Sequence, residues 1–313
     1  MAAVKVTVTD RIVYVVARVA IGIAAWVPQW LGYGAAAALG RWFFRYDKRR
    51  QGYALHMLRN AFPDRPDADL LRLGAQATGN LFKVPLDMAR LTRLLARGGD
   101  IRSVLDYGDT ARKMASLTPP YLGLTAHLGN WEVAAIGVAQ FVGGADGIAR
   151  IARNPLLEQW ILKNRRRGGM RILPRRGGIR DLASALAAGN VGLMVVDQNQ
   201  RLRGVFAPFF GQRASCERGA VSLALRHGYP ILVGVALRRG RGFRFELVAT
   251  EPFVLERTGD KAADLLAGVT RVNAAVEQLV RLAPEQYLWI HDRYRTQPRA
   301  DAAPDPGDGG DGE

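Results

Sequence analysis

The stretch Thr125-Ala126-His127-Leu128-Gly129-Asn130-Trp131-Glu132 joins two kinds of chain. Before it, the apolar run Tyr121-Leu-Gly-Leu-Thr-Ala stops at His127; after it, a helix-like run extends from Trp131 to Gln140. This order predicts a strand, a tight turn and a helix. On one continuous helix, at about 100° per residue, His127 and Glu132 would point roughly 140° apart. They can meet only if the chain bends between them. Gly129 permits the bend, and Asn130 is a good N-cap for the following helix. The imidazole then sits on the turn and the carboxylate in the first helical turn, where the helix dipole favours negative charge. Two readings stay open on this pattern. In one, Glu132 orients and charges His127, which takes a proton from an alcohol; in the other, the stretch is a polar turn with a helix-start glutamate.

Outward from this junction, apolar runs alternate with helical ones. Val191-Gly-Leu-Met-Val-Val and Pro230-Ile-Leu-Val-Gly-Val-Ala-Leu are continuous and of buried-strand type, Gly147 to Ala152 reads as a short strand, and Arg244 to Ala249 alternates like an outer one. Helices are expected over Arg50–Pro63, twice within Asp67–Leu95, and over Leu156–Arg167, Ile179–Ala188, Gly219–His227 and Ala262–Leu282. The alternation predicts a layered αβα domain of the α/β class with a mostly parallel central sheet. In such sheets the C-terminal strand ends share an edge where ligands bind. His127 and Asp197 both lie just past such ends, and Arg153 sits at a third.

The chain has 313 residues, 44 Lys and Arg against 28 Asp and Glu, and a net charge of +16, with Arg far outnumbering Lys. Such a surface attracts polyanions: nucleic acid, anionic lipid or an acidic carrier protein. Cys216 is the single cysteine, which excludes an internal disulfide and a cysteine-based metal site; it reads as a small packing residue. Residues 11–39 are apolar apart from Arg11 and Arg18, and no charge falls between Val19 and Gly40. That is just long enough for a span of about 20 residues. Pro28-Gln29 interrupts it, and Trp26, Trp30, Tyr33, Trp42 and Tyr46 suit a headgroup layer. A single anchor, a broken helix in the interface and a buried hairpin all fit. The expected organisation is a membrane-associated segment over 1–46, the main domain over 47–299 and a disordered tail over 300–313.

Some groups carry competing readings. Arg165, Arg166 and Arg167 close a predicted helix, where the dipole favours cations, or one of them binds a phosphate or an oxyanion. Asp197 orients a substrate or a basic side chain, or merely opens a turn. Ala207-Pro208-Phe209-Phe210-Gly211 lines an apolar slot or is plain core. Glu285 to Pro298, aromatic and basic together, is a stacking surface for nucleic acid, a membrane-facing strip or a packed C-terminal strand. His56, His227 and His291 read as structural or surface residues.

Together, His127-Leu-Gly-Asn-Trp-Glu132, Asn60-Ala-Phe-Pro63, Asn154-Pro-Leu-Leu157 with Arg165 downstream, the strand ending at Asp197, Pro208-Phe-Phe-Gly211 and Pro284-Glu-Gln-Tyr-Leu-Trp-Ile-His291 resemble the lauroyl/myristoyl-type late acyltransferases of bacterial lipid A biosynthesis. These form part of the lysophospholipid acyltransferase superfamily, marked by H-x-x-x-x-D/E. The resemblance implies a catalytic dyad at His127 and Glu132, substrate-binding roles for Arg165 and Asp197, and no metal or bound cofactor. It implies an acyl carrier protein or acyl-CoA as donor, a glycolipid acceptor, an anionic membrane surface rather than nucleic acid as partner, and a cytoplasmic-side location at the inner membrane. Backbone N–H groups near Gly129-Asn130, or Arg165, are the expected oxyanion donors. Lipid A enzymes often carry Asp-His or Glu-Asp-His where this chain has Asp197-Gln198-Asn199, which leaves the acceptor open. Related enzymes acylate mannosylated phosphatidylinositol. A thioesterase and a non-enzymatic basic membrane binder are the rival readings.

Overall fold

The computed structural model describes residues 6–149, 154–175 and 177–298. Arg153, expected at a strand end, and the tail beyond 298 fall outside the described residues. Five helices come first: α1 (Val8–Trp26), α2 (Gln29–Tyr46), α3 (Lys48–Ala61), α4 (Asp67–Leu81) and α5 (Val84–Ala96). The α/β part follows as β1 (Leu105–Asp106), α6 (Thr110–Ala115), β2 (Leu122–Thr125), α7 (Trp131–Val142), β3 (Ala145–Ala149), α8 (Pro155–Arg167), β4 (Met170–Pro174), α9 (Gly178–Ala187) and β5 (Val191–Val195). A hairpin of β6 (Val205–Phe209) and β7 (Gln212–Cys216), then α10 (Gly219–His227), β8 (Ile231–Arg238), β9 (Phe245–Ala249) and α11 (Lys261–Leu282) complete it.

Seven strands form the central sheet in the order β1-β9-β8-β2-β5-β3-β4. Every neighbouring pair is parallel except β8 and β9. The mostly parallel layered fold is therefore the one the alternating pattern implies. The central strands β2 and β5 are covered on both faces, which is why they read as apolar runs rather than as alternation. Leu122 and Leu124 pack with α9, α10 and α11 on one face; Tyr121 and Leu193 pack with α5 and α7 on the other. Phe209 and Phe210 are core residues, stacked edge-on and joined to Tyr287 and Trp289; of the two readings for that stretch, the core one holds.

The N-terminal apolar segment is neither a straight anchor nor a buried hairpin. It is two helices bent by 119° at Val27-Pro28, and no single helix among the described residues is long and apolar enough to cross a membrane. Proline cannot continue the backbone hydrogen-bond ladder, so the break falls at that position. Helix α2 is built into the helical layer: a side chain at Gly40 would come within 2.6 Å of the Thr78 carbonyl oxygen on α4. Apart from Leu202, Val254, Leu266 and Leu282, every exposed large apolar side chain among the described residues lies on α1 or α2.

The segment from Glu285 to Pro298 is packed but is not a strand. It meets the sheet through one isolated bridge, Leu128 with Tyr287, flanked by Gly129 N–H to the Gln286 carbonyl (3.1 Å) and Leu288 N–H to the His127 carbonyl (3.1 Å). Asn130 N–H donates to the Ala236 carbonyl at the end of β8 (2.9 Å). The turn after β2 is thus clamped from two sides. Gly129 has φ +63°, and a Cβ there would overlap the Ala236 carbonyl oxygen. Gly129→Ala should therefore destabilise the protein by at least about 3 kcal/mol, combining left-handed strain with a backbone clash. The check is a thermal melt against wild type; an unchanged Tm would show that the turn is not clamped in this way.

Candidate active site

Strand register brings the site together. Thr125 pairs with Val195 across β2 and β5, so two residues further on His127 faces Asp197. Asp197 grips the histidine twice. Its Oδ1 lies 2.7 Å from His127 Nδ1, and its Oδ2 accepts the His127 backbone N–H at 2.9 Å. The Asp197 side chain is 2% exposed and that of His127 16%, so the imidazole is the accessible member. With Nδ1 carrying the proton toward Asp197, Nε2 presents its lone pair outward, where the Gln198 amide nitrogen lies at 3.3 Å. The Trp131 ring tilts against the imidazole with centroids 4.7 Å apart.

Electrostatics follow from this enclosure. Burial alone would lower the pKa of His127, but the Asp197 charge and hydrogen bond outweigh it and raise the imidazole above its ordinary value. Burial alone would raise Asp197, yet His127, its backbone N–H and the charge of Arg293 bring the carboxyl below the usual range. Burial and the neighbouring Asp197 push the Tyr287 phenol well up, so it stays protonated. His291 is driven down mainly by burial. Its Nε2 accepts the Asn199 backbone N–H at 3.1 Å, which ties down the loop that follows Asp197.

Glu132 does not orient His127. Its carboxylate is taken by Arg165, with Nε at 3.0 Å from Oε2 and a terminal guanidinium nitrogen on Oε1. This bidentate ion pair joins the start of α7 to the last turn of α8. The physical reason is helical: Asn130 caps α7 by accepting from Glu132 N–H and Val133 N–H, both 3.1 Å. Glu132 is then fixed in the first turn, where its side chain reaches α8. Of the expected oxyanion donors, Gly129 N–H and Asn130 N–H bond to the Gln286 and Ala236 carbonyls, and Arg165 pairs with Glu132 through Nε and one terminal nitrogen. Cys216 is buried beside Asn273 and the buried Arg293, as a packing residue would be.

An apolar slot lies between the sheet and α7. It is narrow, with a free volume of about 30 Å³, and is lined by residues including Tyr121, Thr125, Ala134, Ala135, Val138 and Leu193. It starts two residues before His127 on the same strand.

A family model described as bacterial lipid A biosynthesis acyltransferase matches residues 3–296. The chain belongs to that family. It is 25% identical to a lipid A biosynthesis lauroyltransferase of Escherichia coli over 285 residues, covering 87% of this chain and 88% of that protein. It is 27% identical to an Escherichia coli lipid A biosynthesis palmitoleoyltransferase over 46% of each chain. A phosphatidylinositol mannoside acyltransferase of Mycobacterium tuberculosis is 28% identical over 58% of this chain and 57% of its own. The protein is an acyltransferase.

Gln198 and Tyr287 stand inside stretches the sequence singled out, without a role of their own there, while the buried Asp87, which contacts Asn130, carried no signal in the sequence beyond ordinary composition. An imidazole works as a base only when neutral, and Asp197 raises the pKa of His127, so activity that depends on this imidazole should fall as pH drops through a value above the ordinary histidine value. Asp197→Asn removes the raising interaction and leaves burial, so the acid limb of log(kcat/KM) should move to lower pH while kcat falls by about 10³-fold or more. Glu132→Gln should lower kcat without moving that limb. Coincident limbs for wild type and Asp197→Asn would break this assignment.

Proposed function

We propose that the protein moves a fatty acyl chain from an acyl carrier protein, or from acyl-CoA, to a hydroxyl of a membrane glycolipid of lipid A type. The observation that carries this reading is the His127–Asp197 pair, its Nε2 facing the strand-end edge with the Gln198 amide nitrogen 3.3 Å away. Nε2 takes the proton of the acceptor hydroxyl, and the oxygen attacks the thioester carbonyl. A C–O bond forms, the tetrahedral intermediate expels the thiolate as the C–S bond breaks, and Nε2–H returns the proton to sulfur. Asp197 remains ionised and stabilises the imidazolium in between. The Gln198 amide, a donor beside Nε2, is the group we assign to the oxyanion. Glu132 and Arg165 act on the reaction by fixing the first turn of α7.

At about 30 Å³ the slot holds little more than one water-sized group, so an acyl chain bound there must widen it, each buried CH₂ contributing about 0.8 kcal/mol. The bent α1–α2 pair supports attachment to the membrane interface: its exposed valines, isoleucines and tryptophans have the character of an interfacial anchor. Basic side chains of the net positive chain suit phosphorylated headgroups and an acidic carrier. We place the catalytic domain on the cytoplasmic side of the inner membrane, where thioester donors are made. A mannosylated phosphatidylinositol is the second acceptor to test, favoured by the partial match to an enzyme of that name.

The deciding experiment incubates the enzyme and His127→Ala with acyl carrier protein thioesters and each purified acceptor, and reads products by mass spectrometry. Wild type should acylate one acceptor; His127→Ala should fold and give none. Free fatty acid released equally with and without acceptor would assign a thioesterase instead. Filling the slot with Ala135→Leu should shift the transferred chain toward shorter lengths in a mixed-donor competition; an unchanged length distribution would place the chain elsewhere.

A further inference from the structure

Asp87 is wholly buried, yet it takes no part in the chemistry above. It sits in the first turn of α5. Three side chains from three other elements converge on it. Tyr33 of α2 donates its hydroxyl to Oδ1 at 2.7 Å, the Asn130 amide donates to Oδ2 at 3.1 Å, and an Arg238 guanidinium nitrogen at the end of β8 pairs with Oδ2. Arg238 lies over the rings of Tyr33 and Phe245, 4.7 and 4.9 Å from their centroids, and donates to the Gly242 carbonyl at 2.7 Å. Its own backbone is held by Gln286, through N–H to Oε1 at 2.8 Å and from Nε2 to its carbonyl at 3.2 Å. The Gln286 carbonyl in turn accepts Gly129 N–H.

A buried ion pair is poor evidence for stability, since well-packed apolar groups of the same volume are often as stable. What such a cluster supplies is geometry. Asn130 uses both ends of its amide: the oxygen caps α7, and the nitrogen reaches Asp87. Rotation of that side chain would break one bond or the other. Asn130 lies three residues from His127 and two from Glu132.

Resting on the acyltransferase reading of the site, we propose that Asp87 is a positioning residue: it locks Asn130, and with it the catalytic turn, to α2 and β8. Because α2 belongs to the exposed apolar helix pair, the same bonds tie the turn to the part of the chain that faces the membrane in our reading.

The test compares full-length Asp87→Asn, Asn130→Ser, the double variant and Tyr33→Phe, measuring kcat, donor KM and Tm. Serine keeps a capping oxygen but has no amide to reach Asp87. Asn130→Ser and Asp87→Asn should each lower kcat by about 10- to 100-fold, as a small misplacement of the base does, with donor KM within about twofold. The double variant should be no slower than the slower single variant. Tyr33→Phe should show a smaller loss of the same kind. The control is Asp146→Asn, another buried carboxylate, held by Arg171 and Asn190 on β3; it should lower Tm and leave kcat unchanged. Should Asp87→Asn fail to fold, Asn130→Ser and Tyr33→Phe decide. Wild-type kcat in folded Asn130→Ser, additive losses in the double variant, or an equal kcat loss in Asp146→Asn would overturn the proposal. A wild-type enzyme that transfers no acyl group would overturn the functional reading instead.

Discussion

The hydrogen bond between His127 and Asp197 depends on strand pairing, and the rest of the site depends on it. Both residues follow buried parallel strands by the same offset, so β2–β5 register alone sets them side by side. Asp197 then fixes the imidazole twice, through the ring and through the backbone. One carboxylate holds the position, tautomer and basicity of the same histidine. Such a buried acid would be expensive if left alone; here His127, its N–H and the nearby Arg293 offset the loss of water.

Around this pair, polar groups are committed rather than free. The N–H groups of Gly129 and Asn130 bond to Gln286 and Ala236, Glu132 bonds to Arg165, and Asn130 spans from α7 to Asp87. The turn is held by elements from the helical layer, the sheet edge and the C-terminal segment at once. A site built this way is already arranged before substrate arrives, so binding energy need not be spent on ordering it. Apolar features lie elsewhere: the narrow slot between the sheet and α7 and the exposed faces of α1 and α2.

Much of this was legible in the residues themselves. The alternation of apolar runs and helical stretches specified the layered sheet, and the strand-end rule picked out both His127 and Asp197. The pairing within the site was not legible. Glu132 is five residues from His127 and Asp197 is seventy, and proximity in sequence favoured the wrong partner; only the register of β2 against β5 resolves it. Side-chain direction mattered as well, because a residue in the first turn of α7 points toward α8 once Asn130 caps that helix. Asp87 was hidden for a different reason. An acidic residue near a helix start is the usual dipole-compatible choice, so nothing in α5 distinguishes one whose carboxylate is buried and shared by three partners. The stretch Phe209-Phe210 read equally as slot or core because periodicity does not say which apolar residues leave a gap.

The clamp between strands also has a temporal side. During synthesis His127 is made seventy residues before Asp197, and Leu288, whose N–H fastens the turn, later still. Until the late segments dock, the imidazole has neither its carboxylate partner nor the bonds that hold its turn. The arrangement of the site therefore emerges only with closure of the tertiary structure.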